Sequence, residues 1–287
     1  MNRVMIRERN EPTTILTRLV YMIPVMIALG LSSLSALAQV SSTPPQPLPT
    51  ADSSSAAKSE TEKPDTRDPI ERADEFKSKL TFATYFISGA QSYDLNLRHQ
   101  FGPWTAWIAA FYDTQGTKLM RVGAQYDYKK GWLHLVPSVE IATTRALSGS
   151  LSAELGSGKT VALAGIARTN LRPFFDLFWD PGDSVQLGVA RKISNYDRIQ
   201  GFTIFDVRLH TGQQNTHVLW RHKLNANNGI TFDGVFKTGH GDSGEFIKAA
   251  GIGVYYDRHH WFWKLYYDPR VNFTDHIMVR AGIGLKF

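Results

Sequence analysis

From Lys77 to the last residue the chain is patterned with a period of two. The final segment shows it most cleanly: Ile277, Val279, Ala281, Ile283, Leu285 and Phe287 fall on one face, and His276, Met278, Arg280, Gly282, Gly284 and Lys286 on the other. Alternation of this kind marks a β-strand. The same pattern puts Tyr93, Leu95 and Leu97 opposite Asp94, Asn96 and Arg98, and Met120, Val122 and Ala124 opposite Arg121, Gly123 and Gln125. It puts Val139 and Ile141 opposite Ser138 and Glu140, and Trp261, Trp263 and Leu265 opposite Phe262, Lys264 and Tyr266. One face is apolar and aromatic, and the other is charged.

Fifteen segments carry the pattern: 80–87, 92–101, 104–113, 119–128, 132–143, 149–155, 159–168, 171–179, 183–192, 201–210, 216–224, 229–237, 248–257, 261–268 and 276–287. Many approach the roughly 9–11 residues that a tilted strand needs to cross a bilayer. Their ends carry Trp104, Trp132, Trp179, Trp261, Tyr112, Tyr126 and Tyr256, which suits interfacial girdles. The expectation is an all-β fold, a single antiparallel transmembrane β-barrel with its apolar face outward. Single-chain bacterial barrels have even strand numbers, so fourteen strands are expected, with twelve as the alternative. The weakest segments are 149–155, which is short and Ser/Gly-rich, then 171–179 with Pro173, and 80–87. Loops at 211–215, 238–247 and 269–275 are expected outside and turns at 225–228 and 258–260 in the periplasm, with no loop long enough to plug the barrel.

Residues 1–38 read as a secretory signal peptide: Arg3, Arg7, Arg9 and Arg18, an apolar run from Leu19 to Leu34, and a small-residue site ending at Ala38. Residues 39–76, rich in Pro, Ser, Thr and charge, read as a disordered periplasmic linker. Residues 77–287 form the barrel.

On its terminal strand, with Ala281, Ile283 and Leu285 leading to a terminal Phe287, the chain resembles bacterial outer-membrane β-barrel proteins. The resemblance implies that Ile283, Leu285 and Phe287 form the signal read by the barrel-assembly machinery. It also implies residence in the outer membrane, among its lipid and lipopolysaccharide.

Composition narrows the chemistry. The 287 residues include no Cys, which removes disulfides, thiol nucleophiles and Cys-based metal sites. The formal net charge is +6. By alternation the inward face carries Arg98, Arg121, Arg208, Arg221, Lys223, Lys237, Lys264, Arg280 and Lys286 against Asp94, Asp127, Glu140, Asp206 and Asp233, a basic surplus of four. Basic pore linings favour anions, so a small anionic solute is a candidate partner. A protein sent to the envelope is not expected to meet nucleic acid, and no cofactor or metal is expected.

Three short motifs are weighed and set aside. Gly156-Ser157-Gly158-Lys159-Thr160 lacks the first glycine of a phosphate loop, since Ala153 stands there, and it runs on into a strand. Gly241-Asp242-Ser243-Gly244 echoes a protease nucleophile loop but is followed by Glu245. His259-His260 sits in a turn with spacing unsuited to one shared face. A weak catalytic candidate is His210 or His217 as base with Asp206 orienting it; the nucleophile is not identifiable, Ser243 and Ser184 being candidates only. The sequence therefore favours a passive channel for small polar or anionic solutes. A closed structural or assembly barrel comes second and a lipid-modifying hydrolase third.

Overall fold

The computed structural model describes residues 76–143, 147–168, 183–207, 212–241 and 243–287. The proposed signal peptide, Ala38, the linker up to residue 75 and the segment 171–179 lie outside the described residues. Fifteen strand segments follow one another: β1 (Ser78–Ile87), β2 (Ala90–Phe101), β3 (Trp104–Asp113), β4 (Lys118–Tyr126), β5 (Tyr128–Lys130), β6 (Leu133–Ala142), β7 (Leu147–Leu155) and β8 (Thr160–Arg168). They continue with β9 (Ser184–Lys192), β10 (Asp197–Asp206), β11 (Gln214–Lys223), β12 (Asn228–His240), β13 (Phe246–Arg258), β14 (Trp261–Asp268) and β15 (Met278–Lys286).

Apart from β4 and β5, each strand pairs antiparallel with the next, and β1 also pairs with β15, from Lys79 opposite Lys286 to Ile87 opposite Met278. Segments β4 and β5 both pair with β6 and are separated only by Asp127, so they are one broken strand. The register to β6 is the same on both sides of the break and sets Tyr126 opposite Pro137, which has no amide proton to give to the ladder. The sheet is thus a closed barrel of fourteen strands. The short Ser/Gly-rich segment 149–155 is one of them, within β7. β10 starts at Asp197 rather than 201, because the Ser194 hydroxyl closes the preceding turn onto the Asp197 carboxylate at 2.6 Å.

The alternation runs inside out relative to a soluble sheet. Phe82, Leu95, Ile108, Val122, Ile141, Leu187, Ile252 and Leu265 are exposed on the outer wall. Asp94, Asn96, Arg121, Glu140, His217, Asp233, Lys237, Lys264 and Arg280 are buried on the inner one. Leaving this much apolar surface outside is favourable only against lipid, since burying it from water is worth about 25 cal/mol per Å².

Three inner-wall glycines seat aromatic rings from directly paired neighbours: Gly123 under Trp107, Gly253 under Tyr266 and Gly284 under Phe262. A Cβ at Gly284 would stand 1.9 Å from the Phe262 ring, so only glycine fits beneath it. The interior also holds two apolar clusters. One is Leu163, Ala190, Phe202, Ile204 and Leu219; the other is Ala83, Tyr85, Val235, Tyr266, Val271 and Met278.

Val271 belongs to the connection between β14 and β15, the loop expected outside at 269–275, and its place in that cluster brings part of this short loop into the barrel. The short 3-10 turn Val271–Phe273 folds inward, leaving Val271 and Phe273 each 2% exposed. Asn272 and Phe273 take positive φ, 53° and 57°, to make the reversal. The connection between β12 and β13 narrows from the expected 238–247 to 241–245, because both strands extend into it, whereas β10 ends earlier than expected, at Asp206.

Candidate functional site: the barrel interior

The inner wall is built of ion pairs and ring-held cations. Near the outer mouth the Lys237 ammonium donates to the Asp268 carboxylate at 2.8 Å and to the Arg270 carbonyl at 2.7 Å, with the Phe273 ring 5.0 Å away. Both side chains of this pair are fully buried. The inward turn is therefore fastened to the wall of β12. Beneath it the Arg280 guanidinium lies over the rings of Tyr85 and Tyr266, 4.8 and 5.7 Å from their centroids.

Around the wall, Arg121 bonds Asp94 at 2.5 Å and stands 4.0 Å from Glu140, which accepts the Trp107 indole N–H at 2.8 Å. Arg198 bonds Glu154 at 3.0 Å, and Lys286 bonds Asp257 at 2.7 Å. Taking a charge out of water costs several kcal/mol per ion, so a buried charge persists only where partners of this kind meet it.

Of the lumen residues expected from the sequence, Arg98, Arg121, Glu140, Asp206, Arg221, Asp233, Lys264 and Arg280 occupy inner-face positions of their strands. Arg208 and His210 lie outside the described residues. Lys79, Glu154, Arg198, Asp257 and Asp268 also take part in the inner network and were not counted. Lys79 fell just before the segment read as 80–87, and Asp268 was the last residue of its segment. The outward positions of Ile283 and Leu285 follow from their pairing with Phe82 and Leu80, and Phe287 is exposed at the strand's end.

With His217 as base, the weak catalytic constellation does not assemble. The carboxylate at His217 is Asp233, 3.1 Å from Nδ1, rather than Asp206. The imidazole is fully buried and stacked on Phe202 at 4.8 Å. Asp206 pairs in register with Ser184, whereas His217 pairs with Phe202, four residues and so about 13 Å along the strand. Ser243 hydrogen-bonds the Glu245 carboxylate. That hydroxyl first, and the Glu245 backbone amide second, hold the carboxyl below its usual range. Gly156 to Lys159 form a plain hairpin turn between β7 and β8, with Gly156 and Gly158 at positive φ. His259 and His260 contact each other edge to face at 4.2 Å, and Phe76 packs on both.

A closed antiparallel barrel with its charges inside and its apolar face outside is a membrane-spanning architecture. The chain is a closed antiparallel β-barrel with the architecture of a membrane-spanning barrel. No protein-family description and no curated protein matches it. Among solved structures it is similar to the Acinetobacter baumannii outer membrane protein Omp33, at 9% identity over 75% of this chain and 100% of that one, with a TM-score of 0.49. It is also similar to the KdgM porin in complex with disordered oligogalacturonate, at 11% identity over 73% of this chain and 99% of that one (TM-score 0.41). A mutant of the Rh. blastica porin gives 8% identity over 73% and 98%, with a TM-score of 0.42. Likenesses this distant carry nothing about the activity of this chain, whose barrel stands on its own strand ladder.

Proposed function

We propose that the barrel is an outer-membrane channel for small polar solutes, with a preference for anions. The observation that supports this most is the polar, cation-rich inner wall enclosed by an apolar exterior. Lys79, Arg98, Arg121, Lys237, Lys264, Arg280 and Lys286 all stand on it. Cations held against a low-dielectric wall project their field into a narrow lumen, where counter-ions concentrate. The location follows from the architecture and from the proposed signal peptide, with insertion through the assembly machinery by way of Ile283, Leu285 and Phe287.

A second reading, a structural barrel with a closed lumen, is favoured by the inward Val271–Phe273 turn and by the two apolar clusters inside. Purified, heat-modifiable barrel added to a planar lipid bilayer separates the two. Discrete conductance steps support the channel. Silence from folded protein rejects it in favour of the closed barrel.

A further inference from the structure

We infer that the outer wall carries a docking site for one phospholipid with an ethanolamine headgroup, formed by Arg191, Asp197, Trp220 and His222 at the periplasmic rim. The alternation of β9, β10 and β11 turns all four outward. Arg191 continues the face of Leu187 and Val189, with Ala190 buried behind it. Asp197 shares the face of Ile199, and His222 that of Val218 and Trp220. The register joins them. Asp197 stands directly opposite His222, and Ile199 stands opposite both Arg191 and Trp220. Arg191 is thus a diagonal neighbour of Asp197, a spacing of about 7–8 Å. Tight turns at 193–197 and 224–228 close this end of the barrel. It is also the end where the start of β1 meets the end of β15, Ser78 donating to the Phe287 carbonyl at 2.8 Å. Short turns mark the periplasmic side of an outer-membrane barrel.

The Asp197 carboxylate is held in place by its neighbours. Oδ1 accepts the Trp220 indole N–H at 2.9 Å and bonds His222 Nδ1 at 2.8 Å, and Oδ2 accepts the Ser194 hydroxyl at 2.6 Å. The indole and the hydroxyl are uncharged donors, so they fix the direction of the carboxylate without cancelling its charge. A carboxylate offers about four acceptor sites, and Oδ2 keeps one open. Arg191 is not among these donors, and its side chain is exposed. A cation and an anion therefore stand side by side on the outer face of the rim. The exposed Trp220 ring, stacked on Phe232 at 5.8 Å, lies between them and the apolar wall. Tryptophan at such a rim sits at headgroup level. This pair of charges matches a zwitterion. A phosphate takes the guanidinium fork of Arg191. An ammonium joined to that phosphate through two carbons reaches Asp197, donates to the open site on Oδ2 and meets the face of Trp220. The acyl chains then lie along Leu187, Val189 and Val218. A glycerol headgroup supplies the phosphate without the cation. A choline headgroup supplies a cation with no N–H to donate.

The test is native mass spectrometry of the delipidated, detergent-purified full-length chain, titrated with phosphatidylethanolamine, phosphatidylglycerol and phosphatidylcholine of identical acyl chains. The wild type should retain one phosphatidylethanolamine at least about fivefold more tightly than either of the others, the contribution of one charged contact at a lipid surface. Asp197→Asn should abolish the preference over phosphatidylglycerol. Arg191→Gln should weaken phosphatidylethanolamine and phosphatidylglycerol alike, about fivefold, because both present the phosphate. A purely structural role for Asp197 in its turn would not move the ratio between headgroups. Lys118→Gln, which removes an exposed charge at the start of β4, should leave all three lipids within twofold. Equal retention of the three lipids by the wild type, or a preference that survives in Asp197→Asn, overturns the site. If Asp197→Asn does not give heat-modifiable, folded protein, Arg191→Gln decides alone, and unchanged retention in it overturns the site. None of these readouts involves conductance, so failure of the site and failure of the channel reading are seen separately.

Discussion

Replacing Asp268 by Ala should release the inward turn while leaving the barrel standing. In the native structure the Lys237 ammonium has the Asp268 carboxylate at 2.8 Å, the Arg270 carbonyl at 2.7 Å and the Phe273 ring at 5.0 Å, with no exposure of either charged side chain. Removing one member of a buried pair typically costs about 3–5 kcal/mol, because the other is left uncompensated. The strand ladder is untouched by the change, so the least costly relief is for residues 269–277 to leave the mouth and let water reach Lys237. Trypsin should then cut after Arg270 faster than it does in the wild type, and unitary conductance should rise. The urea midpoint for loss of compact migration on unheated gels should change little. Lys237→Met with Asp268→Leu replaces the pair by apolar groups and should restore protection, since such exchanges are neutral or stabilising by roughly 1–4 kcal/mol. Unchanged trypsin resistance and conductance in Asp268→Ala would refute the anchor.

Three further outcomes follow from the geometry. Gly284→Ala places a methyl group 1.9 Å from the Phe262 ring and should lower the urea midpoint by the cost of overpacking, about 1–3 kcal/mol; Gly234→Ala, whose nearest neighbour is 3.9 Å away, should not. Leu285→Asp puts a charge on the lipid face, costing up to about 2–4 kcal/mol at the midplane and less towards the rim. Deleting Phe287 removes the proposed assembly signal; both variants should reduce the yield of membrane-inserted barrel, and full yield from both would contradict their assignment. Ser243→Ala removes the main cause of the lowered Glu245 pKa, so an NMR titration should find that carboxyl moved up towards the ordinary glutamate value. A lowered carboxyl pKa stabilises the fold at neutral pH, and that contribution fades as pH falls through the folded value.

The barrel was legible because strand alternation survives wherever one face meets lipid and the other a polar interior. The last strand shows both faces unbroken, from Met278 to Lys286. Strand ends were less legible. β10 begins at a turn closed by Ser194 and Asp197, a local hydrogen bond that the period does not report. The inward-facing Phe202, Ile204 and Leu219 were also hidden, because apolar residues on both faces carry no sign of which side is the lumen. The inner charges were readable as a set and unreadable as pairs. His217 meets Asp233 rather than Asp206, and only the register of β11 against β12 decides it. The inward turn had no signal at all in the pattern. It depends on Lys237 meeting Asp268 across 31 residues of chain.

The central claim, a conducting barrel whose inner wall favours anions, is tested most directly by its reversal potential in a planar bilayer under a potassium chloride gradient. The account predicts a reversal potential on the chloride side that shrinks as ionic strength rises, because the Debye length falls from about 10 Å at 0.1 M to about 3 Å at 1 M. A potassium-side reversal from folded, inserted protein would contradict the assigned lumen charge, and no conductance at all would contradict the channel.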